Sequence, residues 1–393
     1  MLAIPLAYNF RNLMARKVST TLTVLGLALA VAIFLVVLML VNGLHYAMAQ
    51  SGSMDNAVIL RKGATSETLS GVARESADVV EVAPEIAIGA DGQPMVAAEA
   101  VVGVSLPRRN DPTGKGTANV TVRGIVPMSL ALRESLKIVE GRAPESGKPE
   151  ILAGVSAAKG FKGCEVGGTI QMGGITWNVV GLFEANGSAF ESELWGDREL
   201  VGNSFGRNGF SSMTLRMKDP RLDVASLQAR FDDDPRVNVH VQTESEYFSS
   251  SSEGLRILIS MLGGVLIALF SMGAVMGAMV TMFAFVGART REIGTLRALG
   301  FSRRSIAMCF MIESLMLALA GGIVAAIPAL MVQRLTFSTT NWTTFTDVTW
   351  HFRASPMIIL SGLIFSLVMG WIGGMIPATR AALLPITTSL REA

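Results

Sequence analysis

Four long apolar runs and one long mixed stretch divide this chain. A bilayer core of about 30 Å is crossed by about 20 apolar residues in a helix. Residues 18–42 form such a run with no charge, and residues 255–287 form another, broken only by Arg256. Residues 306–333 hold one acid, Glu313, and residues 357–376 are again uncharged. The pattern predicts a membrane protein with four transmembrane helices, one before a large insertion and three after it. Ala47-Met48-Ala49 resembles a signal-peptide cleavage site. The apolar run before it is too long for a signal h-region, so retention of the helix is expected.

Between the first two runs, residues 43–254, short apolar runs alternate with Gly, Pro, Ser and Thr. Strands are expected around Val58–Leu60, Asn119–Val122, Thr176–Val180 and Val237–Val241. Gly173-Gly174 suits a two-residue hairpin turn. Leu222 to Phe231 reads as a helix, with Asp219-Pro220 ahead of it and Asp232 to Pro235 ending it. This stretch should be an α+β domain, large enough to bury a core without disulfides. The second apolar run is longer than a bilayer requires, so its helix should project outward as a stalk. Ser249–Ser252 ahead of it reads as a solvated junction.

Composition agrees with a membrane location: 50% of residues are hydrophobic and 16% charged, against about a quarter charged in soluble domains. A net charge of +2 gives no support to nucleic-acid binding. The placement of the cations is more informative. Arg11, Arg16 and Lys17 precede the first run, Arg289 to Arg304 fill the loop 288–305, and Arg380 and Arg391 follow the fourth run. The loop 334–356 carries only Arg334 and Arg353. Both termini (1–17 and 377–393) and loop 288–305 are therefore expected in the cytoplasm, and 43–254 and 334–356 outside.

Catalytic chemistry is hard to find in the pattern. The two cysteines, Cys164 and Cys309, fall in regions too different to pair, and the histidines at 45, 240 and 351 are far apart in sequence. There is no HExxH or CxxC spacing, so no metal site is expected. Neither Gly114-Lys115 nor Gly147-Lys148 completes a phosphate-binding GxxxxGK[ST] loop. The chain is expected to be no enzyme and to hold no cofactor. Any ATP-driven work would use ATP and magnesium on another polypeptide.

The cytoplasmic loop carries the most specific pattern. Ile293, Leu296 and Leu299 recur at near-helical spacing, with Arg289, Arg291 and Arg297 around them. Gly300 can end this helix in the left-handed conformation, and Ser302 can cap the next. By pattern alone the helix either rests on lipid headgroups or docks in a groove on a cytoplasmic partner. Gly273-xxx-Gly277 and Gly370-xxx-Gly374 allow close helix contact, and Pro328 is a candidate kink. Glu313, near the start of its run, is expected to be partly hydrated at the inner surface.

Arg289 to Gly300, continued by Ser302 to Ile306 and Glu313-Ser314, resembles the coupling-loop signature of the MacB/FtsX/LolC permease superfamily. The tail Pro377-Ala378-Thr379-Arg380-Ala381-Ala382, with Pro385 and Ser389-Leu390-Arg391, is similar to its closing motif, Thr379 standing where many members have Arg. Leu60–Glu67, Val139–Arg142, Val179–Phe183 and above all Gly187–Trp195 look most like the DevC branch. The resemblance implies a permease of the bacterial inner membrane, working with two copies of an ABC ATPase and a second permease. It makes Arg289, Arg291, Glu292, Ile293, Gly294, Leu296, Arg297, Ala298, Leu299 and Gly300 the ATPase-docking positions, with the loop helix centred on Ile293 in the ATPase groove. Export through a membrane fusion protein and an outer-membrane channel is the implied task. LolC-like extraction of lipoproteins or lipid, and FtsX-like control of a cell-wall hydrolase, are the alternatives.

Overall fold

The apolar runs fold as long helices in the computed structural model, which describes residues 6–109, 111, 116–219, 223–341 and 346–385. Helix α1 (Leu6–Ala15) is followed by α2 (Lys17–Ser51), then β1 (Asn56–Arg61), α3 (Arg74–Glu81), β2 (Val96–Pro107), β3 (Thr117–Ile125) and α4 (Pro127–Ala131). Next come β4 (Lys137–Gly141), β5 (Glu150–Gly154), α5 (Val155–Gly160), β6 (Thr169–Met172), β7 (Ile175–Glu184) and β8 (Glu193–Asp197). The order continues with α6 (Arg198–Ser204), β9 (Ser212–Arg216), α7 (Asp223–Asp233), β10 (Val239–Thr243), α8 (Glu244–Gly287) and α9 (Thr290–Ala298). It closes with α10 (Arg303–Val332), β11 (Thr336–Asn341), β12 (Thr346–His351) and α11 (Pro356–Leu383).

Two units result: a helical unit of Met1–Asn42, Leu258–Leu335 and Phe352–Ala393, and a head of Gly43–Ile257 and Thr336–His351. Among the described residues, α2, α8, α10 and α11 are the helices long and apolar enough to cross a membrane.

In the helical unit, α10 and α11 pack through small residues. A side chain at Gly370 would overlap Ala318, and one at Gly374 would overlap Ser314. The Ser314 hydroxyl donates to the Gly370 carbonyl at 2.7 Å. Leu27, Val31, Leu35 and Met39 of α2 join this core, and Phe34 stacks on Phe365 at 4.3 Å. The glycine pair of α8 behaves differently. A methyl group placed on Gly273 or Gly277 would have no neighbour within 4 Å. Together with Gly26 and Leu29 of α2 they line an open groove of about 600 Å³.

The head is built on one sheet ordered β10-β1-β9-β2-β3-β8-β5-β7-β4, with β6 paired to the first residues of β7. The β3–β8 and β5–β7 pairs are parallel and the others antiparallel. The long β2 serves two halves. Its first residues pair with β9, and from Ala100 onward it pairs with β3. One apolar core lies around Ile59, Met213, Leu227 and Phe231, and another around Val120, Ile151, Trp177 and Leu194. Gly173 and Gly174 turn between β6 and β7, both with positive φ, as a two-residue hairpin with matching strand twist requires. The expected strands coincide with β1, β3, β7 and β10. The expected helix coincides with α7, though Leu222 itself lies outside the described residues.

Three expectations need correction. The stretch 334–356 is more than a loop: β11 and β12 form an antiparallel hairpin that belongs to the head. Gly43 permits this, because any side chain there would overlap the His351 carbonyl. Helix α8 begins at Glu244, well before residue 255, and Ser249–Ser252 lie inside it. The hydroxyls of Ser250, Ser251 and Ser252 donate to carbonyls three residues back, so the run is satisfied within the helix instead of forming a solvated junction. Helix α11 continues through Pro377 to Leu383, beyond the expected end at 376.

Candidate functional site

Gly287 ends α8, and two residues later Arg289 turns back into the helical unit. Its guanidinium meets Glu313 at 3.2 Å and Glu292 at 3.2 Å, and lies 5.0 Å from the Tyr8 ring and 5.4 Å from the Phe310 ring. Tyr8 of α1 donates its hydroxyl hydrogen to Glu292 at 3.0 Å. Beside it, Asn9 donates to the Cys309 carbonyl, and the Cys309 thiol donates to the Asn9 side-chain oxygen at 2.8 Å. Burial works against the Arg289 charge, but contact with Tyr8 and the charge of Glu313 outweigh it and hold the pKa above its ordinary value. Glu313 is 1% exposed and ion-paired, which corrects the expectation of a hydrated acid. An acid this deep must be paired, and the partner lies across a chain turn that sequence spacing does not reveal.

Helix α9 follows. Its end has the geometry expected of Gly300, whose φ is +95°. The Phe301 N–H donates to the Leu296 carbonyl at 3.1 Å and the Gly300 N–H to Arg297 at 3.2 Å, a left-handed C-terminal cap. Ser302 Oγ then accepts from the Ser305 N–H at 3.1 Å and opens α10.

The residues expected to dock a partner divide between two faces. Ile293 and Gly294 are buried, and Ile293 packs into the core that includes Leu13, Phe285 and Ile306. Leu296 is half-buried against the same core. Arg297 is also half-buried and donates to the Ala382 carbonyl of α11 at 2.8 Å. Arg291, Glu292, Thr295, Ala298, Leu299 and Gly300 are exposed, Leu299 to 68%. Ile293 is thus covered by the chain's own core, and the outward positions of α9 are Arg291, Thr295 and Leu299. The inner part of the apolar face, Ile293 and Leu296, is covered by the chain's own helices, which a single sequence cannot distinguish from a partner's groove.

The C-terminal motif lies close by in the fold. Pro377 is buried in α11, Arg380 places its guanidinium 5.4 Å from the Phe283 ring, and Pro385 is exposed. Ser389-Leu390-Arg391 lies outside the described residues. Among the described residues no group of His, Cys, Asp or Glu is arranged to hold a metal ion, and Cys164 and Cys309 are unpaired.

The head holds a second buried polar centre that sequence reading missed. Arg123 of β3 binds Glu67, Glu99 and Glu193, each at 2.8 Å. Arg133 binds Glu99 at 2.6 Å and lies 3.6 Å from Glu244. Burial alone would raise the Glu99 pKa, but the Arg133 and Arg123 charges overcome it and hold the carboxyl at about 2. At Glu244 burial prevails over Arg133 and the pKa is raised. This cluster joins β2, β3 and β8 to the first residue of α8.

Residues 20–244 match the MacB-like periplasmic core domain, and residues 254–386 match the FtsX-like permease C-terminal family. The macrolide export ATP-binding/permease protein MacB of Bdellovibrio bacteriovorus is 24% identical over 98% of this chain and 61% of its own length. The uncharacterized ABC transporter permease YknZ of Bacillus subtilis is 26% identical over 57% of this chain and 55% of its own. A probable syringafactin export ATP-binding/permease protein of Pseudomonas syringae is 25% identical over 58% of this chain and 35% of its own. The chain thus spans about 61% or less of the length of these relatives. The solved extracellular domain of YknZ aligns over 48% of this chain at a TM-score of 0.34 and 16% identity.

Proposed function

We propose, from the premise that this chain belongs to the MacB/FtsX superfamily of ABC transporter permeases, that it couples a separate ATPase to movement of its head. The observation that carries the reading is α9, a short helix joining two apolar helices, anchored by Ile293 and Arg289 and offering Arg291, Thr295 and Leu299 outward. An anchored helix with a free outer face can pass displacement to its flanking helices, whereas a loose one would absorb it. The docking surface is thus the outer face of α9, with two ATPase copies carrying ATP and magnesium. Both termini and α9 lie in the cytoplasm of an inner-membrane protein, in keeping with the cluster of arginines between 289 and 304.

A second permease copy completes the assembly. The groove lined by Gly26, Gly273 and Gly277 is open in the single chain, and α8 buries little of its apolar surface there. A facing helix fits such a groove by close backbone approach. Relatives named for macrolide and syringafactin export support outward transport, with a membrane fusion protein and an outer-membrane channel as further partners. ATP-driven closure of the ATPases would bring two permeases together, and the helices would carry that motion to the heads.

Affinity isolation in mild detergent tests the reading. An ABC ATPase and a second permease copy should co-purify with the wild-type chain, and Leu299→Asp should release the ATPase alone. Recovery of a folded permease with no ATPase from native membranes would reject it.

A further inference from the structure

The segment Gly187–Trp195, distinctive in sequence, has no part in the docking helix. Its short turn Ala189–Ser192 is buried throughout and touches the end of α2, the start of α8 and β12. The Ala189 N–H donates to Ser51 Oγ, at the last residue of α2, at 2.8 Å. The Phe190 ring meets Phe248, in the first turns of α8, edge-on at 5.2 Å. Ser192 Oγ accepts from the Thr349 N–H of β12 at 3.0 Å. These three contacts join the turn to residues 58 to 157 positions away, brought together only by the fold.

On its other side the same turn grips the sheet. The Phe190 ring lies 5.6 Å from Trp195, with the Arg133 guanidinium at 4.9 Å and that of Arg123 at 5.4 Å. Glu191 Oε1 accepts from the N–H groups of Ala185 at 2.9 Å and Gly187 at 2.7 Å, which fixes the loop leading into the turn. Gly154, ending β5, lets the turn lie directly against the sheet, because a side chain there would overlap the Glu191 carbonyl. An aromatic ring held between cations and other rings in a dry site has little room to re-pack.

We infer that the turn 188–192 is the junction through which the head takes up motion of α2, α8 and the β11–β12 hairpin, with Phe190 as its positioning residue. The inference rests on the nucleotide-coupled reading above. Helix α8 and the hairpin also reach the sheet directly, through Glu244 beside Arg133 and Thr346 beside Thr121, whereas the turn touches all three segments at once. The three segments thus meet at one packed turn, whose Phe190 ring lies against the Arg123 and Arg133 guanidiniums.

The test uses the full chain with its ATPase in lipid nanodiscs and pulsed electron–electron resonance between paired copies. A spin label is placed at Met261→Cys on α8, or separately at Asp91→Cys on the head, both exposed positions. In the wild type, both distances should change when ATP binds. In Phe190→Ala the α8 distance should still change and the head distance should lose its response, and Phe190→Tyr should restore it. Where Phe190→Ala does not assemble, Ser51→Ala and Ser192→Ala each remove one hydrogen bond and should each weaken the head response alone. A head distance that follows ATP in these variants as fully as in the wild type overturns the junction. A wild type in which neither label responds removes the nucleotide-coupled reading, and the junction falls with it. A wild type whose two labels respond while the Ala variants lose only the α8 response also overturns it.

Discussion

Arg289 and Glu313 form a buried ion pair at 3.2 Å, tying the residue before α9 to the interior of α10. Both side chains are at most 7% exposed, so neither charge has water to fall back on. Removing one partner strands the other, at a cost of about 3–5 kcal/mol. Arg289→Met should therefore lower the thermal unfolding midpoint in detergent sharply, and the double change with Glu313→Leu should recover most of the loss. Equal loss in the single and double variants would show that the pair does not act as a unit.

The two faces of α9 should respond differently to the same substitution. Leu299→Asp lies in solvent and should leave the unfolding midpoint unchanged while ATPase co-purification is lost. Ile293→Asp places a carboxylate in the core at 3% exposure and should destabilise the helical unit by about 3 kcal/mol. Unchanged ATPase recovery with Leu299→Asp would place docking elsewhere.

Gly277→Leu should fill the open groove without disturbing the chain that forms it, since a Cβ added there would have no neighbour within 4 Å. The expected result is a normal unfolding midpoint with loss of permease pairing, read by cross-linking in membranes. Pairing that survives the substitution would remove the groove as the contact surface.

Acid should weaken the head in a defined direction. Glu99 has a folded pKa of about 2, below its ordinary value of 4.5, so its contribution is complete above 4.5 and lost as pH falls toward 2. Glu244 runs the other way: its pKa is raised, so it favours folding while protonated and that gain fades as pH rises. Glu99→Gln should lower stability at pH 7 and flatten the decline between pH 4.5 and 2, followed by thermal unfolding across pH. A decline as steep as the wild type's would assign it to other carboxylates.

Ser302→Ala should cost about 1 kcal/mol, because its hydroxyl accepts the Ser305 N–H at the start of α10. Ser302→Asp should keep the midpoint, and equal losses in both variants would mean the cap contributes little.

Local signals were readable without a structure. The lengths of the uncharged runs announced α2 and α11, Gly300 and Ser302 marked the end of α9 and the start of α10, and Gly173-Gly174 marked the β6–β7 turn. Each depends on neighbouring residues and on backbone preferences that do not change with context. The β2 strand was harder to see, because from Ala97 to Val102 both its faces are covered and its alternation is lost. The hairpin β11–β12 was also hidden, because most of its paired residues are polar and it is held by Gly43, Ser192 and Thr121, all distant in sequence.

The candidate site divides along the same line. Sequence alone determined that a short amphipathic helix with surrounding arginines lies between two apolar helices. Only the tertiary structure decided that Ile293 and Arg289 face inward, that Leu299 faces out, and that Glu313 is Arg289's partner. Periodicity fixes which side chains share a face, whereas what covers that face depends on contacts between separate elements, from 24 residues apart for Arg289 and Glu313 to the packing of Ile293 on α1, and burial and charge pairing are properties of those contacts.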